Sequence, residues 1–292
     1  MTTGNHILVT HFILLRFANH PELSCVLFVV FLSSYLIALT GNLLMIILIT
    51  MADTALCTPM YFFLRNLSFL EISYTLVTLP KILANPLSED KTISFFGCFT
   101  QTYFLLFLRG LECHLLAVMA YDRYVTICHP LPYPVLTNRR AYVGLAAASW
   151  VTSLLVLMGH IATIFTLPFR SSNEITHFLC DVPPVMEMDY GDTHRTEITI
   201  LLVVLFFVLL PFMLILVSYA RIISTILKMP STEGGQKTFS RFSSHLLEGT
   251  LFYGTACTIY MKARLSHSPN DEKLIALVWS IMTLCETPSS TA

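Results

Sequence analysis

The chain predicts an all-α, multi-span membrane bundle. Three observations point there. Hydrophobic residues make up 55% of its 292 residues and charged residues only 12%, mean hydropathy is +0.70, and seven apolar segments recur at lengths near a bilayer crossing. A soluble domain needs a more polar surface than this composition supplies. A hydrocarbon core instead asks for about 20 apolar residues per helix, with every backbone polar group satisfied inside the segment.

The segments run from Leu23 to Thr50, Pro59 to Leu79, Phe95 to Tyr121, Ala141 to Leu167, Ile198 to Leu227, Phe239 to Tyr260, and Leu274 to Leu284. The seventh is too short to cross by itself. Links are tight around Asp53 and Asn138, whereas the stretch from Phe169 to Glu197, between the fourth and fifth segments, is long and acidic. No internal repeat relates two halves, which disfavours the rival reading, a polytopic transporter of inverted-repeat type. The first two dozen residues lack the basic start and small-residue cleavage site of a signal peptide, so the first segment is expected to act as an uncleaved anchor. The whole chain, 1–292, is read as one membrane domain.

The formal charge of −1 leaves no basic footprint for nucleic acid. No Gly-rich phosphate loop, HExxH or GxSxG pattern occurs, so neither catalysis nor a cofactor is expected. The eight cysteines, at 25, 57, 98, 113, 128, 180, 257 and 285, form no CxxC and no zinc spacing. His114, His129, His160, His177 and His245 fall on different segments without ligand spacing, and are read as satisfied core or loop histidines rather than metal ligands. Positive charge does not orient the chain. With the N-terminus outside, eight Lys and Arg fall on inner segments, eight on outer ones, and Arg109 lies inside the third.

The run Met-Ala-Tyr-Asp-Arg-Tyr-Val-Thr-Ile-Cys-His-Pro-Leu, from Met119 to Leu131, lies where the third segment ends. It resembles the signature at the inner end of the third helix of vertebrate odorant receptors. Gly41-Asn42, Thr58-Pro59-Met60-Tyr61-Phe62-Phe63-Leu64 and Ser218-Tyr219 match the same family in the first, second and fifth segments. Lys237-Thr238-Phe239-Ser240 and Ser243-Ser244-His245-Leu246 resemble the start of its sixth, although Arg241 and Phe242 stand where the family usually has Thr and Cys. The resemblance covers residues 9 to 283.

That resemblance implies a rhodopsin-like seven-helix bundle with its N-terminus outside the plasma membrane. It implies partners too: small volatile odorants, membrane lipid and a heterotrimeric G protein of the stimulatory olfactory type. Cys98 and Cys180 are expected to form the disulfide that pins the long loop. Leu105, Leu106, Arg109 and Gly110, then Val203 and Phe207, then Tyr253, Ala256 and Tyr260 are expected to line the ligand pocket. Asp122, Arg123, Tyr124, Tyr219, Lys237 and His245 are expected to form the G-protein switch, Asp122 holding Arg123 in the resting state.

The chain also departs from the family. A usual second loop bridge is absent, with Arg170 and Tyr190 in the family's cysteine positions, and Asn5-His6-Ile7 breaks the usual N-terminal sequon. The intact sequon Asn66-Leu67-Ser68 is placed at the inner membrane edge, where glycosylation is not expected. Glu112, where the family usually has an acid, and Arg109 and Glu248, where it does not have charges, are expected to pair inside the bundle because an intramembrane charge is expensive alone.

The ending differs most. In place of Asn-Pro-x-x-Tyr-Ser the chain reads Thr287-Pro288-Ser289-Ser290-Thr291-Ala292. If Asn-Pro-Ile-Ile-Tyr-Ser-Leu is encoded as AAC CCC ATC ATC TAC AGC CTG followed by A, moving the frame forward by one base yields Thr-Pro-Ser-Ser-Thr-Ala and a stop. A frameshifted ending implies a truncated seventh helix and supports an alternative reading, a receptor remnant held in the endoplasmic reticulum that signals nothing.

Overall fold

The structure, a computed structural model, describes residues 11–14, 21–51, 58–84, 92–131, 133, 137–166, 174–175, 180, 182, 193–228 and 253. In chain order its elements are β1 (His11–Leu14), α1 (Pro21–Met51), α2 (Pro59–Ala84), β2 (Thr92–Ser94), α3 (Phe95–Cys128), α4 (Arg139–Phe165), β3 (Glu174–Ile175), α5 (Thr193–Val204), a π-helical stretch (Leu205–Leu209) and α6 (Leu210–Lys228). The α5, π and α6 pieces together are the fifth predicted segment. Apart from Tyr253, the sixth and seventh predicted segments, with Ala256, Tyr260, Lys237, His245, Glu248 and the C-terminal ending, lie outside the described residues.

Helix ends follow local chemistry. Pro21 and Pro59 occupy first helical positions, where no amide hydrogen is needed. Ser94 caps α3 by accepting from the Gly97 amide at 3.0 Å, and Asn138 caps α4 by accepting from the Ala141 amide at 2.9 Å. The third segment is longer than hydropathy predicts. Its apolar run ends at Tyr121, yet the helix continues through Asp122 to Cys128, and the His129 amide still donates to the Val125 carbonyl at 2.9 Å before Pro130. Charge ends the apolar run there, while the backbone ladder continues until the segment meets a residue that cannot join it.

Four described helical segments are long and apolar enough to cross a membrane: Phe28–Met51, Phe95–Cys128, Arg139–Phe165 and Ile198–Lys228. The most apolar window of α3 is 72% buried, against 11%, 22% and 17% for the other three, so α3 is the central helix. It packs against α2, α4 and α6, while α1 leans on α2. Hydroxyls in these apolar helices are turned back on their own backbone. Thr75, Thr78, Thr100 and Thr102, for example, each donate to the carbonyl four residues earlier.

At one end of the bundle a three-stranded sheet of order β2-β1-β3 departs from the all-α expectation. β1 runs antiparallel to β2, pairing Phe12 with Ile93, and parallel to β3, pairing Leu14 with Ile175. Beneath it Phe12 is fully buried against Phe95, with ring centroids 6.1 Å apart, and Phe165 sits edge-on to both Phe95 and Phe99. Three segments separated by two helices each therefore meet on one side.

Candidate functional site

The sheet end is tied by the expected disulfide between Cys98 and Cys180, with Cα atoms 5.4 Å apart and both residues fully buried. Its surroundings are polar and satisfied. The Cys180 amide donates to Gln101 Oε1 at 3.3 Å, and the Thr102 hydroxyl lies 2.9 Å from the Cys98 carbonyl and 3.3 Å from that of Cys180. The long loop is thereby seated on the first turns of α3.

One to four turns further along lie the α3 residues expected to face a ligand. Leu105 and Gly110 are buried, whereas Leu106 and Arg109 are half-buried. Gly110 is where α3, α4 and the π stretch close up: a Cβ there would stand 2.7 Å from Leu157 Cδ1 and 2.8 Å from Phe207 Cδ1. Gly110 and Phe207 are thus packed against each other. Val203, half-buried, lines a cavity between α4 and the fifth segment. Tyr253 is 1% exposed; its hydroxyl donates to the Cys113 carbonyl at 3.2 Å and its ring lies 5.1 Å from that of Phe212.

The π stretch has a local cause. The Leu210 amide donates to the Leu205 carbonyl, five residues back, and the next donor in that pattern would be residue 211, which is Pro. The Phe206 carbonyl therefore loses its helical partner. His114 of α3 lies against this stretch, its ring stacked on Phe207 at 4.8 Å with Phe206 edge-on at 5.5 Å.

Arg109 has a partner that the sequence reading did not name. Its Nη2 donates to the Tyr74 hydroxyl of α2 at 2.6 Å, and the guanidinium lies 5.3 Å from that ring's centroid. Glu112 and Glu71 are both buried in the same helices. A tyrosine 35 residues away leaves no trace in spacing along one helix.

At the other end of α3, Asp122 is buried and its Oδ1 accepts from the Tyr133 hydroxyl at 3.3 Å. Burial, and after it the adjacent Asp122 carboxylate, push the Tyr133 pKa up, which keeps that hydroxyl a donor. Arg123 Nη2 reaches Met60 Sδ of α2 at 3.1 Å, within the Thr58–Leu64 motif. The Tyr124 hydroxyl lies 3.0 Å from His129 Nε2. Tyr219 is buried in the cluster holding Ala117, Ala120 and Ile222, and Cys128 Sγ meets Thr225 Oγ1 at 3.2 Å, fastening α3 to α6. Among the described residues no group of three His, Cys, Asp or Glu could hold a metal.

The family model described as "Olfactory receptor" matches residues 31–288. The chain belongs to the olfactory receptor family. Human olfactory receptor 10A7 is 48% identical over 283 residues, covering 97% of this chain and 89% of that protein. Human olfactory receptor 10A4 is 49% identical over 284 residues, covering 97% and 90%, and human olfactory receptor 10C1 is 45% identical over 281 residues, covering 96% and 90%. The family fold is the rhodopsin-like seven-helix bundle, into which the described helices fit, and the chain is a multi-pass membrane protein. As a member of a signalling receptor family it is not an enzyme. Membership favours neither the transporter nor the remnant reading.

Proposed function

We propose that the chain is an odorant receptor: a single receptor domain over 1–292 that binds small volatile organic molecules near the disulfide end and couples to a stimulatory G protein at the other. One observation carries this reading. α3 runs unbroken from Cys98, through the Leu105 to Gly110 wall, to Asp122, Arg123 and Tyr124. At about 1.5 Å per residue some 37 Å of one rigid element joins the two ends. Ligand contacts on that wall favour one of two bundle arrangements, and Arg123 leaves Met60 when the inner face opens.

The wall is mostly aliphatic and aromatic, which suits ligands that gain chiefly by leaving water. Family membership supports Ala256 and Tyr260 as further lining, Lys237 and His245 as further switch residues, and lipid as the surrounding solvent. The N-terminus is placed outside the plasma membrane. The disulfide supports this, because such bonds persist on the oxidising side, and β1 belongs to the same end. The experiment is a cAMP assay over an odorant panel in cells whose surface receptor is labelled through an N-terminal tag. Odorant-dependent cAMP in labelled cells is expected; labelled cells that answer no odorant would overturn the reading.

A further inference from the structure

A groove of about 810 Å³ runs between α4 and the fifth segment. Its polar groups collect at the disulfide end, where His160 and Thr163 of α4 face Thr199 of α5; its other end is apolar, reaching Leu209 and Met213. At about 1.5 Å per residue the wall from Thr199 to Met213 is about 20 Å long. Both walls belong to helices long and apolar enough to cross a membrane, and Leu209 and Met213 are exposed.

His160 is 5% exposed, and its ring has no hydrogen-bond partner among the described residues, with Nδ1 enclosed and unsatisfied. The nearby Thr163 hydroxyl is already used, donating to the His160 carbonyl at 2.6 Å. A buried polar group without a partner is costly, and an ionisable one at membrane depth points to a ligand. Water is a poor occupant, since it needs several polar partners and the rest of this wall is apolar.

We propose that the groove binds a membrane sterol, its hydroxyl donating to His160 Nε2, since Nδ1 is enclosed, and its apolar body lying along Leu209 and Met213. One hydroxyl at one end of a long apolar body matches the one-ended polarity of the groove. A phospholipid tail brings no hydrogen-bonding group to that depth. The bound sterol braces the π stretch, because Phe206 lines the groove and packs edge-on against His114. The site stands independently of the odorant reading.

The test uses the full chain in phosphatidylcholine vesicles with a photoactivatable sterol probe and mass-spectrometric mapping. Crosslinks are expected in peptides holding residues 156–163 and 199–213. His160→Phe should cut labelling there about five-fold, as for one lost hydrogen bond, and Leu209→Trp should cut it at least as much by filling the groove. Excess unlabelled sterol should compete, and its methyl ether should not. An intact Cys98–Cys180 disulfide verifies the fold of each variant, and Leu209→Trp decides alone if His160→Phe does not form it. Labelling spread evenly over the helices, unchanged by the substitution in the folded variant, or displaced equally by the ether overturns the proposal.

Discussion

Arg109 Nη2 and the Tyr74 hydroxyl, 2.6 Å apart, join α3 to α2 through a charge-assisted hydrogen bond beneath a cation–π contact. Tyr74→Phe removes the acceptor and keeps the ring. The expected loss is about 1.5–3 kcal/mol of stability, read as a lower unfolding temperature in lipid nanodiscs. In a double-mutant cycle with Arg109→Leu the two losses should be strongly non-additive. Additive losses would show that the bond carries no coupling.

The disulfide closes a sequence separation of 82 residues. Chain entropy alone then gives it about 4–5 kcal/mol. Cys98→Ser and Cys180→Ser should each abolish folded receptor to the same extent, and the pair together should be no worse. Non-reducing peptide mapping that found both thiols free would sink this account.

Much of the bundle is legible in the sequence because its solvent is hydrocarbon. Helix starts follow from Pro59, Ser94 and Asn138, and lengths follow from apolar runs. The sheet is not legible, since β1 is four residues long and pairs with strands that lie some 80 and 160 residues away, where no local pattern fixes register. The expectation for Arg109 named acids, Glu112 and Glu248, and the Tyr74 hydroxyl that also holds it belongs to another helix, where spacing along α3 gives no signal. His160 read as a satisfied core histidine, and its ring has no described partner. The π stretch had a signal in Pro211, whose missing amide sets the fault, but its packing against the His114 ring is a tertiary contact that one helix cannot reveal.

At Gly110 the packing leaves no room for a Cβ. Gly110→Ala gains about 1 kcal/mol of helix propensity but overpacks Leu157 and Phe207 at a cost of about 1–3 kcal/mol. Thermal stability should fall in the order Gly, Ala, Val at this position. An alanine variant more stable than the parent by the full propensity gain would mean that Leu157 and Phe207 yield freely.

Tyr133 holds Asp122 from outside the helix. Tyr133→Phe leaves the buried carboxylate without that donor, so ligand-free cAMP should rise several-fold if this end of α3 is the switch, with surface labelling unchanged. Basal cAMP equal to that of the parent would separate Tyr133 from the switch.

The central claim is that ligand at one end of α3 works a G-protein switch at the other. The most direct measurement is odorant-stimulated guanine-nucleotide exchange by an added stimulatory G protein, on total membranes holding the full chain, so that intracellular retention does not enter. The account predicts saturable stimulation by some odorants of the panel, lost in Arg123→Ala and shifted in concentration dependence by Arg109→Leu. Exchange that no odorant raises, or that Arg123→Ala leaves intact, would contradict it.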